Sequence, residues 1–292
     1  MPFTLDQVGP ISLGCMSFHT LAQGRPIMHA ALDQGIRCFD TADLYDHGEN
    51  ERILGQVLAG KRQEVFISTK VGNRWRPDGS GWDWVPRKDY ILDAVPQSLK
   101  RLQTDYLDLL LLHGGTIEDP LEEVVEAFEL LRERGFVRAY GISSIRPNTI
   151  RRWTALAPQS VGCMTQYSLL DRRPEEATLD HLHAAGQGVM VRGALAKGLL
   201  LDKAPQDYLS HKASEVGDLR QAFHNLVGPA YAAGAAIRYT LAHPAVRTVA
   251  LGASSVDQLN ANLHSFHSIE WTPALRQELA ALFPAAQYTA HR

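Results

Sequence analysis

Asp40 and Tyr45 stand five residues apart in CFDTADLY (38–45), where an apolar run gives way to polar residues. Two further ionisable residues end later apolar runs in the same way: Lys70 closes VFISTK (65–70) and His113 closes YLDLLLLH (106–113). Taken singly, each has an ordinary explanation. Asp40 with Thr41 caps a following helix, Tyr45 packs as a loop aromatic, Lys70 is a solvated strand end, and His113 is a hydrogen-bonded structural histidine. Those explanations do not account for ionisable groups at the tips of three consecutive runs. Together the four form a proton-donor set. A free phenol is a weak acid, with a pKa near 10. An ammonium beside it would favour the phenolate and lower that pKa. Asp40 paired with Lys70 would keep the lysine charged and oriented, so Tyr45 is read as the acid.

These residues need a scaffold that brings strand ends together. Eight short apolar runs recur along the chain: 11–18, 36–40, 65–70, 106–113, 137–143, 160–167, 188–194 and 246–253. They are continuous rather than alternating, as expected of parallel strands buried on both faces. Amphipathic stretches separate them. In DPLEEVVEAFELLRERG (119–135), Asp119 is placed to cap a helix, Pro120 suits its first position and Glu122 completes a box-like pattern. Val124, Val125, Phe128 and Leu131 make its apolar face, and Gly135 its stop. Pro147 opens another helix, and Ser255 with Gln258 forms a second capping box.

Eight strand–helix units in 292 residues fit a single-domain (β/α)8 barrel over 1–292, whose C-terminal strand ends form the active face. The competing open doubly wound sheet should carry GxGxxG after an early strand, and that motif is absent. Long loops follow strand three (71–89) and strand seven (about 198–217).

Composition narrows the function classes. Hydrophobic residues make up 45% and charged residues 21%, as in soluble globular proteins, and the net charge is −3 with the signs interspersed. Nucleic acid therefore has little electrostatic support as a partner. Cys15, Cys38 and Cys163 show neither a disulfide framework nor zinc-ligand spacing, so no metal is expected. No secretory leader and no apolar run of about 20 residues is visible, so a cytoplasmic protein without membrane contact is expected.

FDTADLY, STK, RLQTDYLDLLLLH, GIS and GASSVDQLNAN, in that order, resemble the motifs of the aldo-keto reductase family. The likeness runs from about Ser12 to Asn262. It implies a (β/α)8 barrel that binds NADP(H) without a Rossmann fold and reduces aldehydes and ketones to alcohols, or runs the reverse oxidation. Hydride delivered to a carbonyl carbon leaves negative charge on oxygen, so a proton donor is needed there. Tyr45 is then the general acid, and His113 holds the carbonyl oxygen or shares in the proton relay.

The resemblance also implies a cofactor set: Ser143 and Gln166 for the nicotinamide carboxamide, Arg192 and Lys197 after strand seven, and Gly252, Ser254, Ser255, Gln258 and Asn262 at the last strand and its helix. A side-chain amide such as Gln166 can satisfy another amide reciprocally, and a helix N-terminus after Gly252 suits a phosphate. The chain departs from the family's pattern in three ways. Ser144 stands where an asparagine is usual. Arg192 replaces a stacking aromatic, although a guanidinium can also stack or bind an anion. No Arg or Lys occurs from Gly252 to Asn262 to meet a 2′-phosphate. NADP(H) leads on the family's account, with NAD(H) or dual use open.

Met16 and Phe18 after strand one are expected at the mouth of a substrate pocket, and Trp75, Trp82 and Trp84 in the first long loop either wall that pocket or pin a glycine-rich loop. A small carbonyl or alcohol is the expected substrate. Two other functions are compatible with the residues: a nucleotide-binding sensor or regulatory subunit without turnover, and a Schiff-base lyase using Lys70. Pairing with Asp40 opposes the neutral lysine that the lyase requires.

Overall fold

The computed structural model describes residues 3–292. Eight parallel strands close into a barrel: β1 (Ile11–Gly14), β2 (Cys38–Asp40), β3 (Phe66–Val71), β6 (Leu107–Leu112), β7 (Val137–Ser143), β8 (Gly162–Gln166), β9 (Gly188–Arg192) and β10 (Val246–Gly252). Each barrel strand pairs with the next in the chain, and β10 returns to β1 with Ile11 opposite Val249. Two short strands, β4 (Asn73–Trp75) and β5 (Trp82–Trp84), form an antiparallel hairpin inside the long loop after β3. All eight expected runs coincide with a barrel strand, and β3 runs one residue further, to Val71. Several stop sooner than the apolar run does: β1 ends at Gly14, and the chain turns so that the Phe18 N–H donates to the Cys15 carbonyl at 3.0 Å.

Alternation along the strands sorts the core into two compartments. Leu109 and Leu111 of β6, Cys38 of β2, Ala139 of β7, Met164 of β8 and Met190 of β9 point inward and pack with Phe3, Leu5 and Val8, which plug the bottom of the barrel. Leu110, Leu112, Ile67 and Phe39 point outward against the helices. Burying one such leucine contributes roughly 1.5–3 kcal/mol. The inward rows continue upward two residues at a time, which brings Asp40, Lys70, His113, Ser143, Gln166 and Arg192 to the inside of the upper rim. The site residues therefore share the parity of the barrel core.

The helices α1 (Leu21–Asp33), α2 (Glu49–Val57), α3 (Lys88–Leu102), α4 (Leu121–Glu133), α5 (Pro147–Leu156), α6 (Thr178–Ala184), α7 (Ala213–Val227), α8 (Ala232–Leu241), α9 (Val256–Ser268) and α10 (Pro273–Leu282) surround the barrel or continue its C-terminal end. Two expected caps differ. Asp119 does not cap α4: its carboxylate accepts the Trp84 indole N–H at 3.0 Å and the Thr116 N–H at 2.5 Å, and Pro120 rather than Asp119 takes the cap position, with Leu121 as the first helical residue. Ser255 does cap α9 by accepting the Gln258 N–H, but Gln258 Oε1 turns to the N–H of Ser254 at 2.8 Å instead of closing the box.

Candidate active site

Asp40 ends β2 and Lys70 lies one residue from the end of β3, and adjacent pairing of these strands brings them together. Lys70 Nζ donates to Asp40 Oδ2 at 2.6 Å and to the Thr41 carbonyl at 2.7 Å, with the lysine 1% and the aspartate 5% exposed. Burial alone would pull the lysine pKa down. The adjacent Asp40 carboxylate, with Tyr45, outweighs it, and the net direction is upward from 10.5. The ammonium is therefore kept in a dry site. It sits 5.2 Å from the centroid of the Tyr45 ring. The edge of His113 meets the same ring at a centroid distance of 5.9 Å.

His113 follows β6, where its N–H donates to the Val71 carbonyl at 2.8 Å. Burial, and then the neighbouring cations Lys70 and Arg192, push its imidazole down from 6.5 to about 3. At neutral pH the ring is uncharged. Among the described residues its buried Nδ1 has no hydrogen-bond partner, and neither has Asp40 Oδ1.

The segment after Tyr45 is conformationally unusual. Asp46 and His47 both adopt left-handed backbone, with φ of 46° and 55°, before Gly48 at 82°. Outside glycine this region costs of order 1 kcal/mol or more per residue. Side chains hold it in place. His47 stacks on Trp75 at 3.6 Å between ring centroids, and the Trp75 indole N–H donates to the Leu44 carbonyl at 3.1 Å. Across the rim, His19 Nδ1 lies 2.7 Å from Asp46 Oδ2. The Asn73 side chain at the base of the hairpin donates to the His113 carbonyl at 3.2 Å.

All four proton-donor residues line one cavity of about 660 Å3 at the upper rim. Ser143, Gln166, Arg192, Lys197, Gly252, Ser254, Gln258 and Met16 line it as well. The remaining expected residues do not. Phe18 is 0% exposed and belongs to the core beneath the rim, because its run turns inward after Gly14. Trp75 and Trp84 are engaged with Leu44 and Asp119, and Trp84 covers Gly72 and Gly114, where an added Cβ would meet its ring at 2.7 Å and 3.5 Å. Trp82 is 48% exposed on the hairpin outside the cavity. Two of the three tryptophans thus pin the loop, and none is a pocket wall. Ser255 is occupied as the cap of α9, and Asn262 is buried within the same helix at 4% exposed.

The donor set fits a nicotinamide dinucleotide, with one change from expectation. Gln166 has little freedom for reciprocal pairing, since its Nε2 donates to Asp171 Oδ2 at 2.8 Å and to the Tyr208 hydroxyl at 3.3 Å. Its Oε1 accepts from Arg192 Nη1 at 3.1 Å and keeps a second lone pair. Ser143 is buried and its hydroxyl has no hydrogen-bond partner among the described residues, so a donor and an acceptor face the cavity together. Ser144 instead accepts the Arg146 N–H at 3.2 Å. A Cβ at Gly252 would meet nothing nearer than 3.9 Å, which leaves the backbone open to close approach before the N-terminus of α9. The buried Nδ2 of Asn262 lacks a partner among the described residues.

Sequence reasoning missed Arg146, Tyr208, Leu195 and Leu201 on the cavity wall. Arg146 directly precedes Pro147 and reads as helix-start punctuation. Tyr208 lies in the second long loop, whose length was the only available signal.

Comparison with known proteins agrees with this geometry. The model of the aldo/keto reductase family matches residues 10–278. An uncharacterized oxidoreductase of Bacillus subtilis, YqkF, is 41% identical over 295 aligned positions, covering 98% of this chain and 96% of that protein. The holo form of aldo-keto reductase AKR11C1 from Bacillus halodurans superposes with a TM-score of 0.90 at 44% identity, covering 98% of this chain and 95% of that one. An aldo-keto reductase of Schizosaccharomyces pombe, yakc [NADP(+)], is 32% identical over 216 positions, 70% of this chain and 63% of its own length. With the matched residues spanning the barrel and both halves of its rim, the chain belongs to the aldo/keto reductase family and is an oxidoreductase of carbonyl compounds.

Proposed function

We propose that the protein reduces aldehydes or ketones with NADP(H), Tyr45 delivering the proton, and that the same residues oxidise the alcohol in reverse. One observation carries this reading: a buried ammonium, neutralised by a carboxylate 2.6 Å away, lies over a phenol ring that also meets an uncharged imidazole in a T-shaped contact. NADP(H), when bound, supplies the hydride. Lys70 stabilises the negative charge that gathers on Tyr45 Oη as its proton leaves. Asp40 keeps that ammonium in place. His113, with a pKa near 3, carries no proton to give as a cation at neutral pH. It instead orients the substrate oxygen by a hydrogen bond, so proton donation falls to Tyr45.

Ser143 Oγ and Gln166 Oε1 would hold the two ends of the nicotinamide carboxamide. Arg192 would lie flat against the ring or meet a phosphate, and Lys197 with the start of α9 would take phosphate charge. NADP(H) is favoured by family membership and by the NADP(+) in the printed name of the S. pombe relative. The absence of any Arg or Lys from Gly252 to Asn262 leaves room for NADH as well.

The test is Tyr45→Phe, with NADPH and NADH titrated by fluorescence and turnover measured on an aldehyde panel. Turnover should fall by about 100- to 10,000-fold with nucleotide affinity retained. Wild-type turnover in the variant defeats the acid assignment. Tight nucleotide binding by the wild type with no reduction of any aldehyde would instead identify a sensor.

A further inference from the structure

Among the described residues four cations line the cavity, Lys70, Arg146, Arg192 and Lys197, against a single carboxylate, Asp40. Asp40 is already paired with Lys70. Arg192 ends β9 and Lys197 follows it, on the same cavity as Gly252 and Ser254, on the side read above as the cofactor's. Arg146 lies elsewhere. It leaves the end of β7, and its guanidinium reaches back to the β6 side, where Nη1 donates to the Gly115 carbonyl at 2.6 Å, two residues beyond His113. This half-buried group has no carboxylate partner among the described residues, and the bond to Gly115 uses one of its five N–H donors. The loop it touches has another anchor, because Arg152 donates to the carbonyls of Ile117 and Asp119. Holding that loop therefore does not account for a partly desolvated, uncompensated charge on the cavity wall.

We propose that Arg146 recognises an anionic group, carboxylate or phosphate, at the end of the substrate remote from its C=O. The enzyme would then select carbonyl acids or phosphorylated aldehydes over neutral ones. A rigid fork suits either oxyanion, since guanidinium binds both in two-pronged fashion. Met16, Leu44 and Ile145 on the same cavity supply apolar contact for the carbons between the two groups. The inference rests on the carbonyl-reductase reading given above.

Matched substrate pairs test it: 4-oxobutanoate against butanal, and glyceraldehyde 3-phosphate against glyceraldehyde. Wild type, Arg146→Gln and Arg146→Lys are compared by kcat/KM. The wild type should favour the anionic member of at least one pair by about tenfold or more. Arg146→Gln should shrink that ratio by about 10- to 100-fold, through KM, and Arg146→Lys should fall between. Ratios near one in the wild type for both pairs overturn the proposal. So does an Arg146→Gln enzyme that loses activity on both members equally, which would mark a loop anchor. Calorimetric titration of glutarate and inorganic phosphate into the NADPH-saturated protein separates the two readings. If no carbonyl is reduced but anion binding still requires Arg146, the reductase reading fails and the anion site stands; no Arg146-dependent binding and no selectivity removes the site.

Discussion

Replacing Asp40 with asparagine removes the counter-ion of a lysine that is 1% exposed, without altering the size of the side chain. Lys70 Nζ would keep the Thr41 carbonyl at 2.7 Å and an amide oxygen in place of a carboxylate. Stripping one partner from a buried ion pair costs about 3–5 kcal/mol. In a protein of this size that corresponds to a Tm lower by roughly 6–10 °C near neutral pH. The pH dependence is more diagnostic than the size. In the wild type the lysine pKa is raised above 10.5, so its stabilising contribution is complete below that value and is lost as pH rises through the raised one. Without Asp40, burial dominates and the folded pKa drops below 10.5. The unfolded chain then binds the extra proton over the intervening range, and stability rises with pH there. The gap between the two proteins should therefore be widest near about pH 7 and narrow as pH approaches about 10. Circular dichroism melts of both proteins across that range measure it. A gap that is under about 1 kcal/mol, or constant with pH, refutes the coupling of Asp40 to the charge on Lys70.

His113 gives an acid-side counterpart. Its folded pKa near 3 lies below the ordinary 6.5, so its neutral form contributes full stability above 6.5 and loses it as pH falls toward 3. Melts over that interval should show His113→Gln with a flatter acid limb than wild type; identical limbs would contradict burial of a neutral ring. Trp75→Phe keeps an aromatic face for His47 but removes the indole donor to Leu44, the residue before Tyr45. A lost hydrogen bond of about 1 kcal/mol should lower kcat about fivefold with NADPH affinity unchanged, and steady-state kinetics with unaltered kcat would show that the loop needs no such brace.

The barrel was legible because parallel strands covered on both faces leave uninterrupted apolar runs such as YLDLLLLH. Run length was a poorer guide than run presence. The segment 11–18 is apolar for two reasons: Ile11 and Leu13 serve a strand, whereas Phe18 serves the packing beneath α1. Composition cannot separate the two. Caps were misread for a related reason. Asp119 has the position and chemistry of an N-cap, but the competing donor, the Trp84 indole, comes from a hairpin 35 residues away. Local pattern carries no trace of that contact.

The same distinction explains the site. Asp40, Lys70 and His113 were readable because each is the inward residue at the top of its strand, so one periodicity governs both core and chemistry. Residues that reach the cavity from loops escape that rule, since no period tells which way a loop side chain turns. Arg146 illustrates the difference: next to Pro147 it passes for helix punctuation, and only its bond to Gly115 shows that the guanidinium crosses from one strand end to the next. Reaction class is therefore written in strand parity, which a single sequence displays. Substrate choice is written in loop side chains such as Arg146, which emerge only once the barrel has closed and set strand ends side by side.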